Sequence, residues 1–128
     1  MKTLLALAVT ALLAVRAYAG DYPTITVAEV KSAIESKKVV LLDANGTGTW
    51  KRGHIPGAID YASNESNLAG LLPKDKSALI VAYCGGPKCR AYQAAAKAAE
   101  KLGYKNVKHL VAGISGWKEA GEKVETAS

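Results

Sequence analysis

The seven-residue stretch Cys84-Gly85-Gly86-Pro87-Lys88-Cys89-Arg90 holds two thiols and two cations. Residues of those types at that spacing are suited to thiolate chemistry on an anion. The apolar run Ile80-Val81-Ala82-Tyr83 leads into Cys84, and the alanine-rich segment from Ala91 to Leu102 follows Arg90. Strand, tight loop and helix N-terminus, in that order, place the Cys84 sulfur where turn amides, a helix dipole and nearby cations all favour negative charge. Cys84 is therefore the candidate nucleophile. The backbone of Gly85, Gly86, Pro87, Lys88 and Cys89 is the candidate anion cradle, with Lys88 and Arg90 as the attracting charges.

Cys89 is a second thiol five positions on. Two readings stay open for it: a resolving thiol that pairs with Cys84, or a small loop residue. Cysteines that staple a secreted domain are spread to close long loops, whereas a link across this loop would close a short one. The pair therefore reads as chemical. Cys84 to Arg90 also satisfies C-x5-R, the spacing at which a thiolate attacks phosphorus or arsenic while an arginine holds the oxyanion, but the loop contains no carboxylate to act as general acid. Neither His54 nor His109 has metal-ligand spacing to the cysteines, so no metal is expected.

The elements that must hold this loop follow from pattern. Thr26 and Glu29 stand at capping-box spacing, and Val27, Val30 and Ile34 recur with helical period, which predicts a helix from Val27 to about Ser36. Val39 to Leu42, ending on Asp43, is a continuous apolar run typical of a strand buried on both faces. A helical turn through Trp50 and Arg52 precedes Gly53-His54-Ile55-Pro56-Gly57-Ala58, whose glycines and proline dictate a tight path in which His54 holds a loop. A brief strand is expected at Ile59 to Ala62, a polar loop at Ser63 to Asn67, and one helical turn at Leu68 to Leu72 before Pro73. Ala78 to Tyr83 is the second buried strand. Helix follows from Arg90 or Ala91 to Leu102 with Gly103 as its left-handed cap, then a strand at Val107 to Val111 with His109 partly exposed on it. Gly113 to Gly116 reads as a turn opening a short helix at Trp117, and the polar tail from Gly121 to Ser128 as frayed. Trp50 and Trp117 are expected to pack, and Asp43, at a strand's carboxyl end, to orient the loops around the site. Strands alternating with helices predict an α/β domain with a mostly parallel sheet.

Length sets one domain as the expectation. Met1-Lys2, the apolar run Leu4 to Val15 and Ala17-Tyr18-Ala19 fit a cleavable signal peptide over residues 1–19. The domain is then residues 20–128, with a core of about 26–120, and the protein is expected to be exported, periplasmic or secreted, with no membrane anchor after cleavage. Losing Lys2 and Arg16 leaves fifteen basic against eleven acidic residues, a formal charge of +4 in place of +6. No block of five like charges exists, which argues against a nucleic-acid partner and suits a small anionic substrate. No dinucleotide fingerprint or P-loop is present, and no long exposed apolar run calls for a partner, so a monomer without cofactor is expected.

Leu42-Asp43, Gly53-His54-Ile55-Pro56-Gly57-Ala58, Tyr83-Cys84 with its loop and alanine-rich helix, Leu102-Gly103-Tyr104, and Ala112-Gly113-Ile114-Ser115-Gly116-Trp117 together resemble a single-domain rhodanese-like sulfurtransferase. The resemblance covers about Thr26 to Ala120. It implies a central, mostly parallel five-stranded sheet with helices on both faces, and a Cys84 persulfide that takes sulfane sulfur from a donor such as thiosulfate and gives it to cyanide or a thiol. It also implies that Gly85 to Cys89 cradle the anion. Ala44-Asn45 stand where that family has an arginine after the aspartate, and Cys89 stands in the loop where an arginine is common. Two alternatives remain: a C-x5-R phosphatase or arsenate-reductase-like enzyme, and a redox module toggling Cys84 and Cys89.

Overall fold

In the computed structural model, which describes residues 22–128, β4 (Leu79–Tyr83) is the middle strand of a five-stranded sheet. Its neighbours are β5 (Asn106–Leu110) on one side and β2 (Val40–Asp43) on the other. β1 (Thr24–Ile25) lies outside β5 and β3 (Ile59–Asp60) outside β2, and every pairing is parallel.

The unbroken apolar character of β4 follows from burial on both faces. Ile80 and Ala82 point into one core with Leu42, Val107 and the inward side of α5 (Tyr92–Lys101). Ala95, Ala96 and Ala99 present that side, and all three are fully buried, so the helix lies close on the sheet. Val81 and Tyr83 point into the opposite core. Val30 from α1 (Val27–Glu35) and Ile114 and Trp117 from α6 (Gly113–Glu119) cover them there. Helices therefore flank both faces of the sheet, as the family resemblance implies.

Several local expectations hold. The capping box opens α1, with the Glu29 N–H donating to Thr26 Oγ1 at 3.1 Å. Gly103 terminates α5 at φ +97°, the left-handed conformation that glycine adopts without a Cβ penalty. A short helix, α2 (Thr47–Arg52), carries Trp50.

Other expectations are corrected. The strand predicted over Ile59 to Ala62 is only two residues long, because Tyr61 already begins α3 (Tyr61–Asn64). The predicted polar loop at 63–67 is helical too: α3 runs through a 3-10 turn (Glu65–Asn67) into α4 (Leu68–Leu71). Tyr61, Leu68 and Leu72 are the buried side of this segment, and the polar residues between them conceal its helical period. β1, which no pattern indicated, is held by register with β5 (Thr24 opposite His109) and by the His109 N–H donating to Pro23 O at 2.8 Å. His109 is buried rather than partly exposed and stacks on Tyr92 with ring centroids 3.4 Å apart.

The tail is not frayed. Glu125 forms an antiparallel bridge with His54 through two main-chain hydrogen bonds of 2.9 Å, and the Ala127 N–H donates to Lys51 O. Trp117 Nε1 donates to Lys123 O at 2.8 Å. The signal-peptide expectation falls on residues 1–19, outside those described. Among the described residues no helix is long and apolar enough to cross a membrane.

Candidate functional site

Cys84 is the first residue beyond β4, at the carboxyl end of the middle strand, and it is 1% exposed. The alternation of the strand sends the Tyr83 side chain to the α6 face and leaves Cys84 in the core beneath α5. α6 fixes its backbone: the Ile114 N–H donates to Cys84 O at 2.9 Å and the Ser115 N–H to Gly85 O at 3.0 Å. These amides open α6 and lack partners within it, so the loop carbonyls satisfy them. The segment read as a turn at Gly113 to Gly116 is thus the first turn of a helix seated on the loop. Gly113 adopts φ +61°, and a Cβ there would come within 2.6 Å of Cys84 O. Glycine is required by that close approach.

The loop turns back on itself through the Cys89 N–H, which donates to Gly86 O at 3.1 Å and so is already engaged. Cys84 and Cys89 are joined by a disulfide, with Cα atoms 6.2 Å apart. Cys89 is partly exposed and faces a cleft of about 800 Å³ that it lines together with Lys88, Arg90, Tyr92 and His109. Among the described residues no acidic side chain lines this cleft. The two sulfurs therefore have different surroundings: Cys84 lies in the core, while Cys89 opens onto a groove with two cations and the rings of Tyr92 and His109.

Asp43 does not reach the loop as a reacting group. It is fully buried at the end of β2 and accepts from Tyr83 OH at 2.6 Å and from the Asn45 N–H at 2.8 Å. Tyr83 OH in turn accepts the Ile55 N–H at 3.1 Å. One phenol thus joins the ends of β2 and β4 to the turn that follows His54. Burial pushes the Asp43 carboxyl above the ordinary carboxylate range, and its hydrogen bonds pull it partly back. Burial, and then the Asp43 charge, raise Tyr83 well above a normal phenol.

His54 is buried, with Nδ1 2.7 Å from Trp50 O and its ring stacked on the Trp50 indole at 4.1 Å. Trp50 Nε1 donates to Ala58 O at 2.9 Å, which closes the turn around Pro56 and Gly57. Asn45, where the resembling family carries an arginine, sits beside the loop: its Oδ1 lies 3.8 Å from where a Gly85 Cβ would be. Among the described residues no three His, Cys, Asp or Glu side chains cluster as a metal would need. Sequence reasoning missed the Tyr83 link and the α6 clamp. For the clamp the signal was present in Gly113-Ile114-Ser115-Gly116, whose glycines mark close approach.

Residues 26–120 match the profile of the rhodanese-like domain. The chain is 35% identical over 102 residues to an HTH-type transcriptional regulator of Mycobacterium tuberculosis, covering 79% of this chain and 44% of the regulator, so it spans less than half of that relative's length. It is 29% identical over 105 residues to the thiosulfate sulfurtransferase GlpE of Pseudoalteromonas translucida, covering 79% of this chain and 94% of that one. Among solved structures, the rhodanese-like domain of an Anabaena protein superposes with a TM-score of 0.62 at 26% identity, over 81% of this chain and 79% of that one. A parallel sheet ending in Cys84, the loop clamped onto α6 and a domain match spanning nearly all described residues converge on one conclusion: this chain belongs to the rhodanese-like domain family.

Proposed function

We propose that this protein is a sulfurtransferase that carries sulfane sulfur as a persulfide on Cys84. The observation that carries the reading is the position of Cys84 at the carboxyl end of the middle strand, heading a loop with Lys88 and Arg90 and no carboxylate. The likeness to a thiosulfate sulfurtransferase along almost that protein's whole length supports it. The reduced Cys84 thiolate attacks the outer sulfur of a small anionic donor such as thiosulfate, and sulfite leaves with the bonding electron pair. Cyanide or a thiolate then takes the sulfur from the persulfide. Lys88 and Arg90 bring the anions to the loop. Gly85 and Gly86 let the backbone approach the transferred sulfur, and Pro87 stiffens the loop. Asp43 and His54 act through other groups, by fixing the strand ends and the neighbouring turn. Export under the leader of residues 1–19 is part of the same reading.

The test is thiocyanate formation from thiosulfate and cyanide by the full chain, reduced beforehand to open the Cys84–Cys89 bond. Turnover that disappears in Cys84→Ser supports the proposal. Sulfur transfer that survives in that variant removes its basis. Hydrolysis of an aryl phosphate without sulfur transfer would assign the C-x5-R chemistry in its place.

A further inference from the structure

We infer that Cys89 is the internal reductant of the Cys84 persulfide, so that the loop releases the transferred sulfur as hydrosulfide and closes into the Cys84–Cys89 disulfide. This inference rests on the sulfurtransferase reading above and goes beyond it, because it makes the chain itself reduce the sulfane sulfur.

The two sulfurs are bonded, and main-chain hydrogen bonds also hold the loop that joins their residues. Ile114 and Ser115 hold the carbonyls of Cys84 and Gly85, and the Cys89 N–H closes a turn onto Gly86 O. The Cα separation of 6.2 Å lies within the range a disulfide spans without backbone movement. A thiol tethered by so short a loop competes at an effective concentration on the order of millimolar or above. The environments also divide the labour. Cys84, 1% exposed in the bonded loop, is the less open of the two to bulky external thiols, whereas Cys89 lines the cleft with Lys88 and Arg90, cations of the kind that favour a thiolate.

The step balances without any outside oxidant. Cys84 first takes the outer sulfur of thiosulfate, and sulfite departs. Cys89 sulfur then attacks Cys84 Sγ and the bond from Cys84 Sγ to the outer sulfur breaks. The outer sulfur leaves with that electron pair and the Cys89 proton as hydrosulfide. The two thiols supply the two electrons that reduce the sulfane sulfur, and they end as the disulfide. A dithiol reductant restores the loop by attacking Cys89 Sγ, the sulfur on the cleft, with Cys84 leaving as thiolate.

The experiment is an anaerobic single turnover. The full chain is reduced, freed of external thiol and mixed with one equivalent of thiosulfate; sulfite, hydrosulfide and intact mass are then followed. The expected result is one equivalent each of sulfite and hydrosulfide, with a chain lighter by two hydrogens. Cys89→Ser is expected to stop after the first transfer, giving sulfite, a chain heavier by one sulfur and no hydrosulfide. A wild-type chain that keeps the added sulfur and releases no hydrosulfide overturns the inference while leaving the sulfurtransferase reading intact. Hydrosulfide release from Cys89→Ser equal to that of the wild type also overturns it. Absence of both sulfite and added sulfur in either protein overturns the sulfurtransferase reading, and this inference with it.

Discussion

Asp43 and Tyr83 are paired twice: they are register partners on the neighbouring strands β2 and β4, and their side chains share a 2.6 Å hydrogen bond. Tyr83 is the residue immediately before Cys84, and its hydroxyl also accepts the Ile55 N–H. A phenol in the core thus sets the position of the strand end that carries Cys84.

Tyr83→Phe keeps the ring and removes only that hydroxyl. It strands the buried Ile55 N–H and deprives the Asp43 carboxylate of its strongest donor. A loss of about 2–3 kcal/mol is expected, or a fall in Tm of about 10–20 °C for a domain of this size. Urea unfolding measures it. A loss below about 0.5 kcal/mol would show that the link is geometrically present but energetically idle.

The same pair sets a pH dependence. The folded state holds Tyr83 neutral well above the ordinary phenol value of 10.0. Above about pH 10 an unfolded chain loses this proton while the folded chain keeps it, so the folded state binds more protons and stability falls as pH rises. Asp43, also raised, has the same sign at the acid end: its contribution is fullest below the ordinary aspartate value of 3.8 and is lost as pH rises through its folded value. Tyr83→Phe should flatten the alkaline limb of a Tm-against-pH curve, and Asp43→Asn the acid-side slope attributable to Asp43. An unchanged alkaline limb in Tyr83→Phe would assign that loss of stability to the other tyrosines.

Gly113 and Gly121 separate backbone strain from close approach. Both have positive φ, +61° and +79°, but a Cβ at Gly113 would meet Cys84 O and Gly85 C at 2.6 Å, whereas one at Gly121 would meet nothing within 4 Å. Gly121→Ala is expected to cost about 1 kcal/mol from conformation alone. Gly113→Ala should cost at least about 2–3 kcal/mol and lower sulfur transfer, because α6 must shift off the loop it clamps. Equal losses for the two would mean that the clamp tolerates displacement.

How much of this was readable depends on where each signal resides. β4 and α5 announce themselves because burial on both faces leaves an unbroken apolar run, and because alanines permit close packing. β1 has two residues, too few for any period, and exists because β5 offers it an edge. The tail binds through main-chain groups of Glu125 and Ala127, which leave no mark on side-chain type. The Asp43–Tyr83 link joins residues forty positions apart and depends on strand register, which local spacing does not encode. The place of Cys84, at a strand end and at the head of a tight loop, was legible from its neighbours alone. Its pairing with Cys89 stayed open, since a gap of five residues fits both a bonded pair and a loop filler.

Lys88 and Arg90 are exposed, so their effect should be on capture rather than on fold. Lys88→Ala and Arg90→Ala are each expected to raise KM for thiosulfate about three- to tenfold with little change in kcat, a loss of roughly 1 kcal/mol of attraction. Rising ionic strength should raise the wild-type KM and leave the double variant almost unaffected. A fall in kcat at constant KM would place these cations on the sulfur in flight and not at the mouth of the cleft.

The tail gives the sharpest separation between side-chain and main-chain contributions. Ending the chain at Ala120 removes the Lys123 carbonyl that Trp117 Nε1 donates to, the Val124 side chain packed on the α6 core, the two His54–Glu125 main-chain bonds and the Ala127–Lys51 bond. A loss of about 3–4 kcal/mol is expected from these bonds and the newly exposed indole. Glu125→Ala keeps the main-chain bonds and removes only a long contact to the Gly57 N–H at 3.3 Å and a 3.7 Å approach to His54 Nε2. It should cost less than about 1 kcal/mol. Equilibrium unfolding of the two proteins decides the matter: a truncated chain as stable as Glu125→Ala would mean that the last eight residues lie on the domain without holding it.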